Sequence, residues 1–266
     1  MINDVNEMIA TLDVFSVLGE TPVDFESDKF RFYTVPGWES PSFSPLVLLP
    51  GETLERSDLE QIEEFVRRHP IRNPALNPAP YFNFFAGEGL YDTVTIKTVC
   101  SEAEWVIDQD PLNIDLMYAP MPRHIPAGVQ VTMLNAGKSG LHHEYQDIIR
   151  HNFKNDDSYL EAVDRVFRSS NADSYTVLLG LTGDGAIGGG TVSVRDELGF
   201  LTWGAINDEY RNKGFHRLLI SACTMVAMNY NVRVCALTTR NQLIRGKWDN
   251  FVQLYICRKS RSPDII

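Results

Sequence analysis

The run FLTWGAI, residues 200–206, has the β-branched and aromatic character of a strand, and FHRLLISACTMVAM, residues 215–228, has a helix's apolar stripe. Only Asn207–Gly214 separates them, and a second strand-forming run, VRVCALT at 232–238, follows the helix. A strand, helix, strand succession of this kind closes as a right-handed crossover between parallel strands. Upstream stand a strand, VQVTML (129–134), and two helical segments, 141–153 and 157–170. The strands SYTVLLGL and GGTVSV follow, on either side of the hairpin signal Gly183-Asp184-Gly185. An antiparallel meander therefore feeds a parallel crossover, which defines an α+β fold with a mixed sheet flanked by helices.

The first part of the chain has its own elements. Asp4 and Glu7 mark the start of a helix over 4–18, and Ser57 and Glu60 mark another that ends at His69-Pro70. The segments FRFYTVPGW, SPLVLLPG, YFNFFAG and YDTVTIKTV read as strands. Prolines crowd 70–80, an extended loop, and recur at Pro120, Pro122 and Pro126, the expected domain boundary. The organisation expected is an N-terminal α/β domain over 1–126 and a second domain over 127–266.

Charge and motifs exclude several classes. Against 35 acidic residues stand 24 basic ones, a net charge of -11, and nucleic-acid binding needs the opposite balance. The acidic N-terminal run MINDVNEMIA lacks a leader's positive start, and no apolar run approaches membrane-spanning length. Cys100, Cys223, Cys235 and Cys257 have no metal-like spacing, so a soluble, cytoplasmic protein with reduced thiols is expected. GDGAIG carries the letters of a dinucleotide fingerprint at Gly183, Gly185 and Gly188, but a strand follows where the phosphate needs a helix N-terminus. His142, His143 and His151 flank Glu144, yet Asp147 stands four residues after His143, where a zinc-hydrolase helix requires histidine. No metal is expected.

The turn between strand and helix carries the remaining chemistry. A helix start leaves N–H groups without intrahelical partners, and its dipole favours an anion. Gly214 lets a phosphate approach the backbone, and Arg211 and Lys213 add positive charge in an acidic chain. At RNKGFH, residues 211–216, the chain resembles the GNAT superfamily of acyl-CoA N-acyltransferases, whose pyrophosphate loop reads Arg/Gln-x-x-Gly-x-Gly/Ala. The resemblance spans about 128–259. It implies that Gly204, Ile206, Arg211, Asn212, Lys213, Gly214, Phe215, His216 and Asn241 bind acetyl-CoA as co-substrate. It also implies transfer of an acetyl or longer acyl group to a primary amine of a small molecule, and leaves a homodimer open. The N-terminal domain then reads as a degenerate GNAT-like half or as a cover for the acceptor site.

Three positions depart from that pattern. His216 replaces Gly or Ala. Gly246 stands where the family's acidic tyrosine belongs and Asn250 where its glycine belongs, leaving Phe251, and Phe200 stands where some members carry a glutamate base. Glu209, His216 and Tyr255 are the nearest ionisable candidates for proton transfer. Two other readings stay open: a module that kept the fold and lost the chemistry, and an unrelated α+β protein in which RNKGFH only starts a helix.

Overall fold

The computed structural model of the chain describes residues 5–6, 8, 12–19, 25, 27–33, 45–68, 80–117, 125–153, 157–170, 172–239 and 251–260. Two compact units emerge, one of Met1–Asp115 with Thr238–Ile266 and one of Leu116–Leu237. In chain order the first elements are β1 (Phe30–Phe32), β2 (Leu46–Leu48), α1 (Arg56–Arg68), β3 (Tyr81–Phe85), α2 (Thr93–Glu102), β4 (Trp105–Ile107) and β5 (Leu112–Met117). Then come β6 (Val129–Asn135), α3 (Ala136–Ser139), α4 (His143–Phe153), α5 (Asp157–Ser169), β7 (Asp173–Leu181), β8 (Gly185–Arg195) and β9 (Leu198–Ile206). The last are α6 (Phe215–Met228), β10 (Val234–Thr239) and β11 (Phe251–Lys259).

In the second unit β6, β7, β8 and β9 form an antiparallel meander. After α6 the chain returns as β10, parallel to β9 from Val234↔Leu198 to Leu237↔Leu201. This is the α+β order expected from the sequence. Gly183 to Gly188 run through the β7–β8 turn and into β8, so those glycines open a strand and not a helix. The core of the unit is built from Tyr145, Val163, Phe167, Val177, Leu179, Val192, Phe200 and Leu219, all nearly inaccessible.

In the first unit β2 pairs β1 antiparallel and β3 parallel, and β11 pairs antiparallel with β3, β4 and β5. The division of the chain differs here from the single boundary expected after residue 126, because β11 joins the N-terminal segment. Val252, Leu254 and Ile256 on one face of β11, and Gln253 and Cys257 on the other, are all buried. A strand covered on both faces belongs inside a sheet, with neighbours on both edges.

YDTVTIKTV forms most of α2, against the strand expected there. Asp92 caps it, accepting from the Val94 and Thr95 N–H groups at 3.1 Å each, and only Ile96 and Cys100, one turn apart, face the core. A good cap and an i, i+4 apolar pair outweigh the β-branched composition. At α1 the cap sits two residues earlier than the Ser57–Glu60 spacing implied. Asp58 accepts from the Glu55 N–H at 2.8 Å, the reverse half of a capping box, and Ser57 lies inside the helix. The N-terminal helix is helical at 5, 6 and 8 and continues as a 3-10 turn, Leu12–Val17. The proline-rich loop before residue 80, Pro120 and Pro122 lie outside the described residues.

Candidate functional site

The ladder between β8 and β9 breaks once. Gly189 pairs Ala205 and Thr191 pairs Thr202, so Trp203 and Gly204 together stand opposite Gly190. Two residues against one make a β-bulge, and Trp203 adopts a left-handed φ of 47° to form it. The tertiary structure holds that conformation from two directions. The Trp203 carbonyl accepts the Tyr145 hydroxyl at 2.9 Å, and the Trp203 indole N–H donates to the Tyr159 hydroxyl at 2.9 Å. Burial pushes the Tyr145 hydroxyl well above its ordinary pKa, so it stays a proton donor. Gly204 is exposed between the buried Trp203 and Ala205.

The glycines around the bulge show which helix lies where. A Cβ on Gly189 would sit 2.8 Å from the Tyr145 ring, whereas one on Gly190 would sit 3.6 Å from Leu219 and Cys223 of α6. Successive strand residues face opposite sides, so α4 and α6 cover opposite faces of this sheet. Gly204 looks toward α6: a Cβ there would lie 3.8 Å from Leu219 and 3.9 Å from His216 Nε2.

From Ile206 the chain turns through a 3-10 segment, Asp208–Tyr210, anchored by the Asn207 N–H on the Ile187 carbonyl at 2.9 Å. Asn212 (φ 61°) and Gly214 (φ 85°) are both left-handed, and Gly214 caps α6 without any side-chain hydrogen bond. The first helical bond runs from Leu218 N–H to the Gly214 carbonyl at 3.2 Å, so the N–H groups of the opening turn lack intrahelical acceptors. Nothing lies within 4 Å of the Cβ position of Gly214. An open helix N-terminus without a side-chain cap, with its positive dipole end, suits a phosphate.

Arg211, half-exposed, has three partners within the second unit. Its Nε donates to the Ile206 carbonyl at 3.1 Å, its Nη2 to Asn152 Oδ1 at 2.7 Å, and its Nη1 pairs Asp208 at 2.8 Å. The guanidinium thus ties the loop to the end of β9 and to α4. The Lys213 ammonium lies 5.5 Å over the Tyr210 ring, and the Tyr210 hydroxyl donates to Asp184 Oδ2 at 3.0 Å. That bond to Asp184 raises the Tyr210 pKa.

Gly204, Ile206, Arg211, Asn212, Lys213, Gly214, Phe215 and His216 therefore fall in one continuous segment of the second unit, with His216 reaching back over Gly204. Glu209 is exposed on the 3-10 turn. Tyr255 belongs to the first unit, opposite Phe84 on β3, with the two rings stacked at 5.3 Å between centroids. Asn241 lies outside the described residues. Phe200 is a fully buried core residue and no candidate base. Trp203, Tyr145, Tyr159 and Asn152 also shape this segment, and no sequence motif marks them. A glycine inside a strand pattern, Gly204, opposite the run Gly188–Gly190, was the signal that a bulge or a close approach lies there.

Comparison with known proteins places the fold. The structure is similar over nearly the whole chain to a GCN5-related N-acetyltransferase from Kribbella flavida, 15% identical, covering 98% of this chain and 97% of that one, TM-score 0.59. It is similar to a functionally unknown conserved protein from Staphylococcus epidermidis ATCC 12228, 14% identical, 91% and 95% covered, TM-score 0.59. A tandem GNAT protein from the clavulanic acid biosynthesis pathway, 12% identical, 98% and 97% covered, gives a TM-score of 0.52. No family model and no curated protein matches the chain. The fold is a GNAT fold, in the two-unit form that a tandem GNAT protein also has. Among the described residues no helix is long and apolar enough to cross a membrane.

Proposed function

We propose that the second unit binds an acyl-CoA thioester, with its pyrophosphate on the N-terminus of α6, and transfers the acyl group to an amine of a small molecule. The observation that carries this is the adjacency of two devices within a dozen or so residues of chain: the Trp203–Gly204 bulge and the open, glycine-capped helix start at Gly214. The residues present fit the co-substrate. Asn212, Lys213, Gly214, Phe215 and Arg217 would offer backbone N–H groups to the phosphates, and Gly204 and Ile206 would line the arm that reaches the bulge. Arg211 supports the loop. Acetyl-CoA is the donor we infer, and it supplies an activated carbonyl. The chain's part is to hold that carbonyl against a fixed backbone donor and to orient the amine.

The net charge of -11 favours a cationic acceptor. Four buried free thiols suit the reducing cytoplasm. We read the first unit as a degenerate GNAT-like half. A second reading, a CoA-binding module without turnover, is favoured by the His216 ring, which approaches Gly204 where the family carries a small residue.

Calorimetric titration of acetyl-CoA and of free CoA tests the proposal. Micromolar binding is expected, weakened at least tenfold, about 1.4 kcal/mol, by Gly214→Trp with the fold intact. A wild-type chain that binds neither compound overturns it. Binding without thiol release across a screen of small amines selects the second reading.

A further inference from the structure

A trans peptide carries its C=O and its N–H on opposite sides. In a regular strand both lie in the plane of the sheet and go to neighbouring strands. The left-handed φ of Trp203 turns the Trp203–Gly204 peptide out of that ladder. Its carbonyl goes to the Tyr145 hydroxyl at 2.9 Å, on the face covered by α4. The N–H of the same peptide, which belongs to Gly204, is therefore directed to the other face, the one shared with Leu219, His216 and the start of α6.

We propose that Tyr145 is a positioning residue, whose hydroxyl holds the Trp203–Gly204 peptide so that the Gly204 N–H is presented on the α6 face as hydrogen-bond donor to the thioester carbonyl. The proposal rests on the acyl-CoA reading above and assigns within it a residue that does not touch the substrate. The fit of the tyrosine is built in. Its ring is fully buried. Gly189 leaves the room for it, since a Cβ there would come 2.8 Å from the ring and 3.0 Å from Leu178. Tyr159, from α5, accepts the indole N–H of the same tryptophan, so hydroxyls on two helices hold one residue's backbone and side chain. Without the Tyr145 bond the Trp203 carbonyl would lose the hydrogen bond that draws it to the α4 face, and the peptide would have cause to rotate.

The test reads the carbonyl and needs no acceptor amine. Acetyl-CoA labelled at the thioester carbonyl is bound to the protein, and the carbonyl stretch is measured by difference infrared spectroscopy. The wild type is expected to lower that frequency relative to free acetyl-CoA in water. Tyr145→Phe, and independently Gly189→Ala, which displaces the ring and keeps the hydroxyl, should lose half of the shift or more. Affinity for free CoA, which has no carbonyl at that position, should stay within about twofold of wild type for Tyr145→Phe, because the α6 N-terminus is untouched. A full shift retained in both variants overturns the role of Tyr145 and leaves the acyl-CoA reading standing. Parallel loss of free CoA binding in Tyr145→Phe makes the hydroxyl merely structural and also overturns it. A wild-type chain that binds acetyl-CoA with no shift does the same, and one that binds no acetyl-CoA overturns both readings.

Discussion

Asn212 and Gly214 share a left-handed backbone, at φ 61° and 85°, two residues apart in the loop that opens α6. Asparagine tolerates that region through its short polar side chain, and glycine enters it without steric cost. At Gly214 the Cβ position is empty to 4 Å, so the penalty for a side chain there is backbone strain and not collision. Gly214→Val is expected to cost about 1–3 kcal/mol in urea unfolding, and Asn212→Gly to be neutral within about 0.5 kcal/mol. Equal losses at the two sites would show that the loop is not held in this conformation. Trp203 is the harder case, since a bulky residue at φ 47° persists only where the surroundings over-determine it. Tyr145 and Tyr159 supply that determination, one at the carbonyl and one at the indole.

At the level of elements, β8 leaves unequal room at its glycines. A Cβ on Gly188 would lie 2.7 Å from the Ala205 carbonyl oxygen, which is backbone and has little room to move, whereas one on Gly190 meets nothing closer than 3.4 Å. Gly188→Ala should therefore destabilise by about 1–3 kcal/mol through overpacking and strand separation. Gly190→Ala should be tolerated to within about 1 kcal/mol, as measured by chemical denaturation. The reverse ranking would contradict the β8–β9 register. The cap of α2 has a pH signature. The Thr95 hydroxyl and N–H, and then the Val94 N–H, hold the Asp92 carboxyl below its ordinary range. With a depressed pKa, the cap's contribution is fully present above the unfolded value, about 3.9, and is lost as pH falls through the folded one. Thermal melts should show an acid-side loss of stability that Asp92→Asn flattens, since the neutral amide caps at every pH. An unchanged acid limb in that variant would remove the cap from the account.

For the molecule as a whole, the decisive strand comes last. β11 pairs with β3, β4 and β5, so the first unit's sheet closes only after the chain has passed through the entire second unit. Contacts so distant in sequence carry a high loop-closure cost and form late. A chain ending at residue 250 is expected to lose the ordered first unit, measured as loss of hydrogen-exchange protection at Phe82, Phe84 and Ile114. Native protection there without β11 would show that the N-terminal segment folds by itself, as the boundary after residue 126 implies.

The chain's own pattern determined most of the second unit. Strands and helices with clean periodicity, the hairpin at Gly183–Gly185, and the crossover through α6 were legible, because each is a local arrangement written in a dozen or so consecutive residues. So was the turn between β9 and α6, whose charge and glycine pattern does not depend on distant contacts. Tertiary structure alone decided the rest. The helix α2 came from a cap and two buried residues that outweighed a β-branched run. Arg211 was drawn to the Ile206 carbonyl and Asn152, partners that only the folded loop brings within reach. The left-handed Trp203 required a tyrosine 58 residues away in sequence. The place of β11 was set by which sheet could cover both of its faces, a question about space that no window of sequence contains.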